Sequence, residues 1–340
     1  MKGLARFTSL LAIGICAFVV YLLFVGPELI ITEMSKANLW LLLFTLPLDL
    51  AFMLLFGLTW HMLLKTMERG VSMKDSILIS LVSLFGNIMI PTGSVTGEVI
   101  RLVLSKRKLK IGFGNALASI LVHRIVNLMA FAPFLALSLA LFWTSGFSNV
   151  ELLTLLVLTL IVIVGGLSFL KYLSKSRRLQ DYAYKASEKI LKAFKKWSSA
   201  SSDIIEHDIS EFSLSLSKMF SKPCVVMLSF VIFLGHWAAA ITIPYVVFLS
   251  LGYEVSYLLI LAAYPIYSLT YMVPVGIPAM LGVVEASMTA TFIALGIPPV
   301  TASSASILTR IVAVWFEVVV TGAATALYSI DIFRELVKRS

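Results

Sequence analysis

The chain has 340 residues, of which 59% are hydrophobic and only 13% charged. A soluble domain of this size carries about a quarter charged residues, so the composition excludes one and indicates a polytopic membrane protein. The formal net charge of +9 sits in blocks between apolar runs, which reports membrane orientation rather than nucleic-acid binding.

In chain order, Lys2 and Arg6 precede an apolar run to Val25 that no small-residue cleavage site follows. It reads as a first transmembrane helix rather than a signal peptide. Five more segments reach the ~20 apolar residues a spanning helix needs: Asn38 to Trp60, Ala116 to Trp143, Leu152 to Leu173, Val225 to Ser250 and Ala302 to Ile330. Two others do not read as simple spans. Ile77 to Ile90 ends in Pro91-Thr92-Gly93-Ser94 and is followed by a half-length piece running into Lys106-Arg107-Lys108-Leu109-Lys110. Ser256 to Val273 ends in Pro274-Val275-Gly276-Ile277-Pro278 before a second half-segment to Leu295, where two full spans stay open as an alternative. Irregular backbone at membrane depth is tolerated where protein or a water-filled cavity satisfies it, so two broken hairpins predict an internal cavity.

The hairpins belong to a repeat. Pro91 and Glu98 recur as Pro278 and Glu285, 187 positions on, and Ala118 to Val126 (ASILVHRIV) recurs as Ala305 to Val312 (ASILTRIV) with one residue fewer, pairing Arg124 with Arg310. Asp49 and His236 stand at the same 187-residue offset. The loops near 26–37, 145–150, 250–255 and 297–301 contain only Lys36, while the termini and the remaining loops hold nearly all other lysines and arginines. This asymmetry places both termini on the cytoplasmic side of the cell membrane. With that orientation the first hairpin enters from the cytoplasmic face and the second from the outer face. The expected fold is therefore an all-α, single membrane domain over 1–340. It comprises six transmembrane helices plus two broken re-entrant helical hairpins, arranged as an inverted-topology repeat. Repeat 1 covers about 38–144 with its hairpin at 77–112; repeat 2 covers about 225–330 with its hairpin at 256–296. Between them, about 174–221 forms a basic cytoplasmic segment in which Ile190, Phe194 and Trp197 oppose Lys185, Lys189, Lys192 and Lys196. That spacing gives an amphipathic helix, open to two readings: contact with anionic lipid, or a basic linker.

Charge at membrane depth costs a few kcal/mol per group and usually faces a bundle interior. The candidates for a substrate site are Glu98, Arg101, Arg124, Glu285 and Arg310, with Asp49, His123, His236 and Glu317 behind them. The half-helix that restarts after each proline presents N–H groups able to hold a phosphate or carboxylate, with Thr92, Ser94 and Thr96 placed to cap it or line the site. Arg124 and Arg310 supply guanidinium forks suited to a phosphodiester. The alternative is that Glu98 pairs with Arg101 or Arg124, and Glu285 with Arg310, only to fix packing. His123 reads as an interior histidine with satisfied partners. The four histidines have no metal-pair spacing, Cys16 and Cys224 have no metal-ligand partner, and no nucleophile motif, P-loop or dinucleotide glycine pattern is present. The expectation is a non-enzyme without cofactor or metal.

Pro91 to Arg101 (PTGSVTGEVIR), Pro278 to Glu285 (PAMLGVVE) and the two ASIL helices resemble, in order and spacing, the flippase-like membrane region of lysylphosphatidylglycerol synthases, here in a stand-alone form. The resemblance covers nearly the whole chain. It implies movement of a lipid between leaflets, with Glu98, Arg101 and Arg124 in one half of the head-group site and Glu285 and Arg310 in the other. Soluble aminoacyl-transferase and glycosyltransferase domains accompany some members and are not found in this sequence, which leaves aminoacyl-lipids, other phospholipids and polyprenyl-phosphate carriers open. The expected partners are membrane lipids, with room for a soluble transferase and for a homo-oligomer. The alternatives from other classes are a non-catalytic scaffold docking a transferase through 174–221 and a small-solute or ion transporter.

Overall fold

The computed structural model describes residues 2–67, 70–90, 92, 94–143 and 205–337, with a few isolated positions between 144 and 204. Every element in these ranges is helical. The expected span at Leu152 to Leu173 and the amphipathic helix around Ile190, Phe194 and Trp197 lie outside the described residues, as do Pro91 and Gly93.

Helix α1 (Lys2–Val25) reaches Gly26, whose φ of 98° lets the chain turn by 84° into the short α2 (Pro27–Met34). The long α3 (Leu39–Met67) starts where the Asn38 Oδ1 accepts the N–H groups of Trp40 and Leu41. It is followed by α4 (Met73–Met89), capped by Ser72 through the Asp75 N–H, then α5 (Val95–Leu104) and one π-helical turn, Ser105–Leu109. Helix α6 (Phe113–Trp143) ends the first half. After α7 (Ile205–Phe220) come α8 (Pro223–Ser250), α9 (Tyr257–Ser268), α10 (Val283–Ala294) and α11 (Pro299–Arg310). Helix α11 continues through a π-helical stretch, Ile311–Trp315, into α12 (Phe316–Val337).

Among the described residues four helices are long and apolar enough to cross a membrane, Leu39–Met67, Phe113–Ser138, Pro223–Ser250 and Pro299–Ser329, and the bent pair α1 and α2 would make a fifth if it is one span. Large apolar side chains on them face outward, including Trp40, Phe44, Met227, Val231, Val319 and Leu327. A surface of this kind is stable against lipid, not water. The arms α5, α9 and α10, of ten to twelve residues, are only about 15–18 Å long at ~1.5 Å per residue. They fall well short of the ~30 Å hydrocarbon core.

The two long helices that open the halves, α3 and α8, lie along each other. Arm α4 packs on α12, and arm α9 packs on α6. These last two pairs exchange under the 187-residue offset, so each half lends its first hairpin arm to the closing helix of the other. The stretch 174–221 is not wholly a linker. Its end folds as α7 against α6, burying Phe212, Leu216 and Met219 at i, i+4 and i+7, with the Ser215 hydroxyl donating to Asn115 Oδ1.

Candidate functional site

The two hairpin breaks are built differently. In the first, the Thr92 Oγ1 accepts the Thr96 N–H at 3.0 Å, the Thr96 hydroxyl donates to the Ile90 carbonyl at 3.1 Å, and Ser94 sits in the left-handed region with φ 73°. The Gly97 N–H donates to Asn87 Oδ1 at 2.7 Å, tying α5 to α4. Glycine is required at 97 because a Cβ there would lie 2.7 Å from the Ser83 carbonyl oxygen. The Val95 and Glu98 N–H groups go to the carbonyls of Thr92 and Ser94. The first-turn donors of α5 are therefore spent inside the protein, which corrects the expectation that this helix end offers open N–H groups to an anion. Asn87 and Thr92 reach them first, and Ser94, although at the N-cap, makes no capping bond.

One turn into α5, Glu98 holds two arginines. Its Oε2 accepts from Arg101 and its Oε1 from the Arg124 Nε on α6. Arg101 is fully buried, with its guanidinium 5.2 Å from the ring centroids of both Phe56 and Trp60 on α3. It also donates to His123 Nδ1 at 3.2 Å, and the His123 Nε2–H donates to the Phe56 carbonyl at 3.0 Å. His123 bridges Arg101 on α5 and the Phe56 carbonyl on α3. Arg124 differs from Arg101: its side chain is 33% exposed, and among the described residues Glu98 is its one recorded polar partner.

In the second break, Ala279 and Met280 adopt φ of 51° and 54°, conformations that cost a non-glycine residue roughly 1–2 kcal/mol each. Their placement turns the Ala279 carbonyl onto the Arg310 guanidinium. Arg310 also donates through Nε to Glu285 Oε1 at 2.8 Å and to the Tyr271 hydroxyl at 3.0 Å. Glu285 Oε2 accepts the Gly282 N–H at 2.7 Å. The pair is closed, with side chains 4% and 2% exposed.

Between the breaks lies a cavity of about 310 Å³ lined from both halves. Of the residues singled out from sequence, Asp49, Ser94, Arg124, His236, Arg310 and Glu317 line it. Glu98, Arg101, Glu285, Thr96 and His123 stand behind the wall and hold the arginines or the loop in place. His236 donates through Nδ1–H to the Phe52 carbonyl at 2.8 Å and stacks on the Phe52 ring. Sequence reasoning missed Asn87, Asn127, Trp237 and the tyrosines of α9 and the stretch after it, Tyr264, Tyr267 and Tyr271. The two asparagines were visible as amides inside apolar runs; the aromatic residues gave no signal, because aromatic residues are common in lipid-facing helices too. No cluster of three or more His, Cys, Asp or Glu suited to a metal occurs among the described residues.

Long apolar spans, short arms broken at left-handed residues, and buried arginines around a cavity define a multi-pass integral membrane protein rather than a soluble one. The chain belongs to the family of the lysylphosphatidylglycerol synthase transmembrane region, whose model matches residues 9–321. It is similar to stand-alone archaeal UPF0104 membrane proteins. One from Pyrococcus horikoshii is 25% identical over 331 residues, 92% of this chain and 94% of the relative. Another, from Methanothermobacter thermautotrophicus, is 22% identical, with 90% of each chain covered. A third, from Archaeoglobus fulgidus, is 27% identical over 77% of this chain and 78% of the relative. No solved structure matches.

Proposed function

We propose that the protein carries an anionic or zwitterionic lipid between the leaflets of the cell membrane by alternating access. In this reading its two halves form an inverted-topology repeat with re-entrant hairpins at 77–112 and 256–296 and with both termini cytoplasmic. The observation that carries the reading is Arg124: a partly exposed guanidinium in the cavity wall, anchored by Glu98 through Nε so that its outer edge faces the space. Glu98 with Arg101 and Arg124 holds one carboxylate against two cations, an excess of one positive charge. An anionic phosphate group offsets that excess. About 310 Å³ holds a head group but not two acyl chains, so the tails stay in the bilayer while the head group crosses. The aromatic wall of Phe52, Phe131, Trp237 and Tyr264 suits the glycerol or isoprenoid stem next to it.

The exchanged packing of α4 on α12 and α9 on α6 supports two arrangements of similar energy, in which the hairpins trade roles. The protein needs no catalytic group for this work, and its partners are membrane lipids. The test is leaflet exchange of a fluorescent phosphatidylglycerol in proteoliposomes, read by dithionite quenching. Wild type is expected to move it, and Arg124→Ala to slow it about 10- to 100-fold, the loss of a charged hydrogen bond of about 1.5–3 kcal/mol. Equal rates in the two proteins would remove the proposed site.

A further inference from the structure

The cavity holds a feature that the repeat does not duplicate. Glu98 and Glu285, Arg124 and Arg310 occur in both halves; Asp49 and Glu317 do not. The position equivalent to Asp49 is His236, and the position equivalent to Glu317, counted from the Arg124–Arg310 pairing, is Phe131. All four residues line the cavity.

Asp49, on α3, is 3% exposed, and its Oδ2 is buried with no hydrogen-bond partner among the described residues. Glu317 opens α12, immediately after the π-helical turn, and lies within electrostatic reach of Asp49. Its carboxylate has no recorded hydrogen bond or ion pair among the described residues. Among the described residues none of the groups around them hydrogen-bonds either carboxylate, and Arg310 acts on Glu317 only through space. From α8 comes His236, whose Nδ1–H is committed to Phe52; from α9 and the turn after it come Tyr264 and Tyr271; from α6 comes Arg124, held by Glu98. From α11 comes Arg310, whose donors go to Glu285, Tyr271 and Ala279. From α4 come Leu84, Asn87 and Ile88, none of which titrates. Two carboxylates in one low-dielectric space, with both cations of the wall bonded to other partners, resist ionising together.

We propose that Asp49 and Glu317 form a proton site in the cavity, the two carboxylates sharing one proton that the transport cycle takes up on one side and releases on the other. The proposal rests on the lipid-transport reading and deepens it by naming the coupling ion. When the halves exchange conformations, α3 and α12 shift relative to each other, and the spacing of the two carboxylates sets whether the proton is kept. The site is the complement of Arg124: the guanidinium receives the anionic head group, and the carboxylate pair takes the proton.

The test reads the proton directly and does not need transport. Purified full-length protein in phosphatidylglycerol nanodiscs is followed by infrared difference spectroscopy near neutral pH. Wild type is expected to show the C=O stretch of a buried protonated carboxyl, retained in Glu33→Gln on the surface and lost in Asp49→Asn/Glu317→Gln. If the double variant fails to fold, Glu317→Gln alone is read by titrating the band: with the neighbouring carboxylate gone, the buried Asp49 is expected to lose its proton at lower pH than in wild type. A band unchanged in these variants, no band in wild type, or a band that sodium ions abolish overturns the proton site. In a second arm, an imposed pH gradient is expected to drive net fluorescent-lipid movement in wild type and not in Glu317→Gln. A wild-type band with no lipid movement in any liposome keeps the proton site and removes the lipid reading; lipid movement with no band does the reverse.

Discussion

The two Glu–Arg pairs stand at matching positions of the sequence and differ in how they are enclosed. Glu285 and Arg310 are sealed, with every guanidinium nitrogen donating to a protein oxygen and both carboxylate oxygens accepting. Glu98 and Arg124 are open, 19% and 33% exposed, and Glu98 is steadied from behind by the buried Arg101. Repeat 2 has Met288 where repeat 1 has Arg101, and there the Gly282 N–H takes the second carboxylate oxygen instead. The lesson is that one buried pair can be structural and its twin available to a ligand, and the number of donors already committed separates them. If the halves exchange conformations during transport, the sealed pair is the one that opens next.

The largest effect that can break this comparison is expected at Arg310. Arg310→Ala leaves Glu285 buried with only the Gly282 N–H, and losing one partner of a buried pair costs about 3–5 kcal/mol. Thermal unfolding in detergent is expected to drop sharply for this variant and little for Arg124→Ala, whose Glu98 keeps Arg101. Equal stability of the two variants would mean that the pairs are not different in kind.

Next in size is function at the open pair. Arg124→Lys keeps the charge but loses the fork, and is expected to recover only part of the rate that Arg124→Ala loses in the leaflet assay. Full recovery would show that charge alone, not planar recognition, matters there.

Smaller still is the fit of each break. Gly97→Ala drives a methyl against Asn87 and the Ser83 carbonyl, and should cost about 1–3 kcal/mol by thermal unfolding. Gly282→Ala places a side chain at φ 81° with its Cβ 2.9 Å from the Phe18 backbone nitrogen, and should loosen α1 from the second break as well. A tolerated Gly97→Ala would show that α4 and α5 can separate without loss, so that the first hairpin is the looser one.

The smallest expected change is Thr92→Val, about 1 kcal/mol, because it removes one capping acceptor from the Thr96 N–H. It frees that donor at the cavity end of α5. Tighter binding of an anionic head-group analogue by this variant, read by calorimetry, would show that only the Thr92 side chain keeps the helix end from serving as an anion site.

Much of this molecule was legible in its residues. Apolar length marked the long helices, since a bilayer demands it, and the breaker runs after Ile90 and Val273 marked where the helices stop, because proline and glycine end helices. The repeat located Glu98, Arg124, Glu285 and Arg310 without any structure. Helix α7 was harder: its stripe of Phe212, Leu216 and Met219 is interleaved with serines, and its burial depends on α6 being beside it. The capping of α5 was hidden for a similar reason, because Asn87 belongs to the preceding arm and only the hairpin's closure brings it to the Gly97 N–H.

By itself the sequence determined the membrane environment, the long apolar helices and which ionisable side chains had to be inside, because hydration cost is a property of each residue type. Only the tertiary structure decided that Arg310 is saturated while Arg124 lines open space, that Arg101 is walled in by Phe56 and Trp60, and that Asp49 and Glu317 line one cavity. Those outcomes depend on how many donors and acceptors converge at one point, and convergence between residues hundreds of positions apart is set by packing.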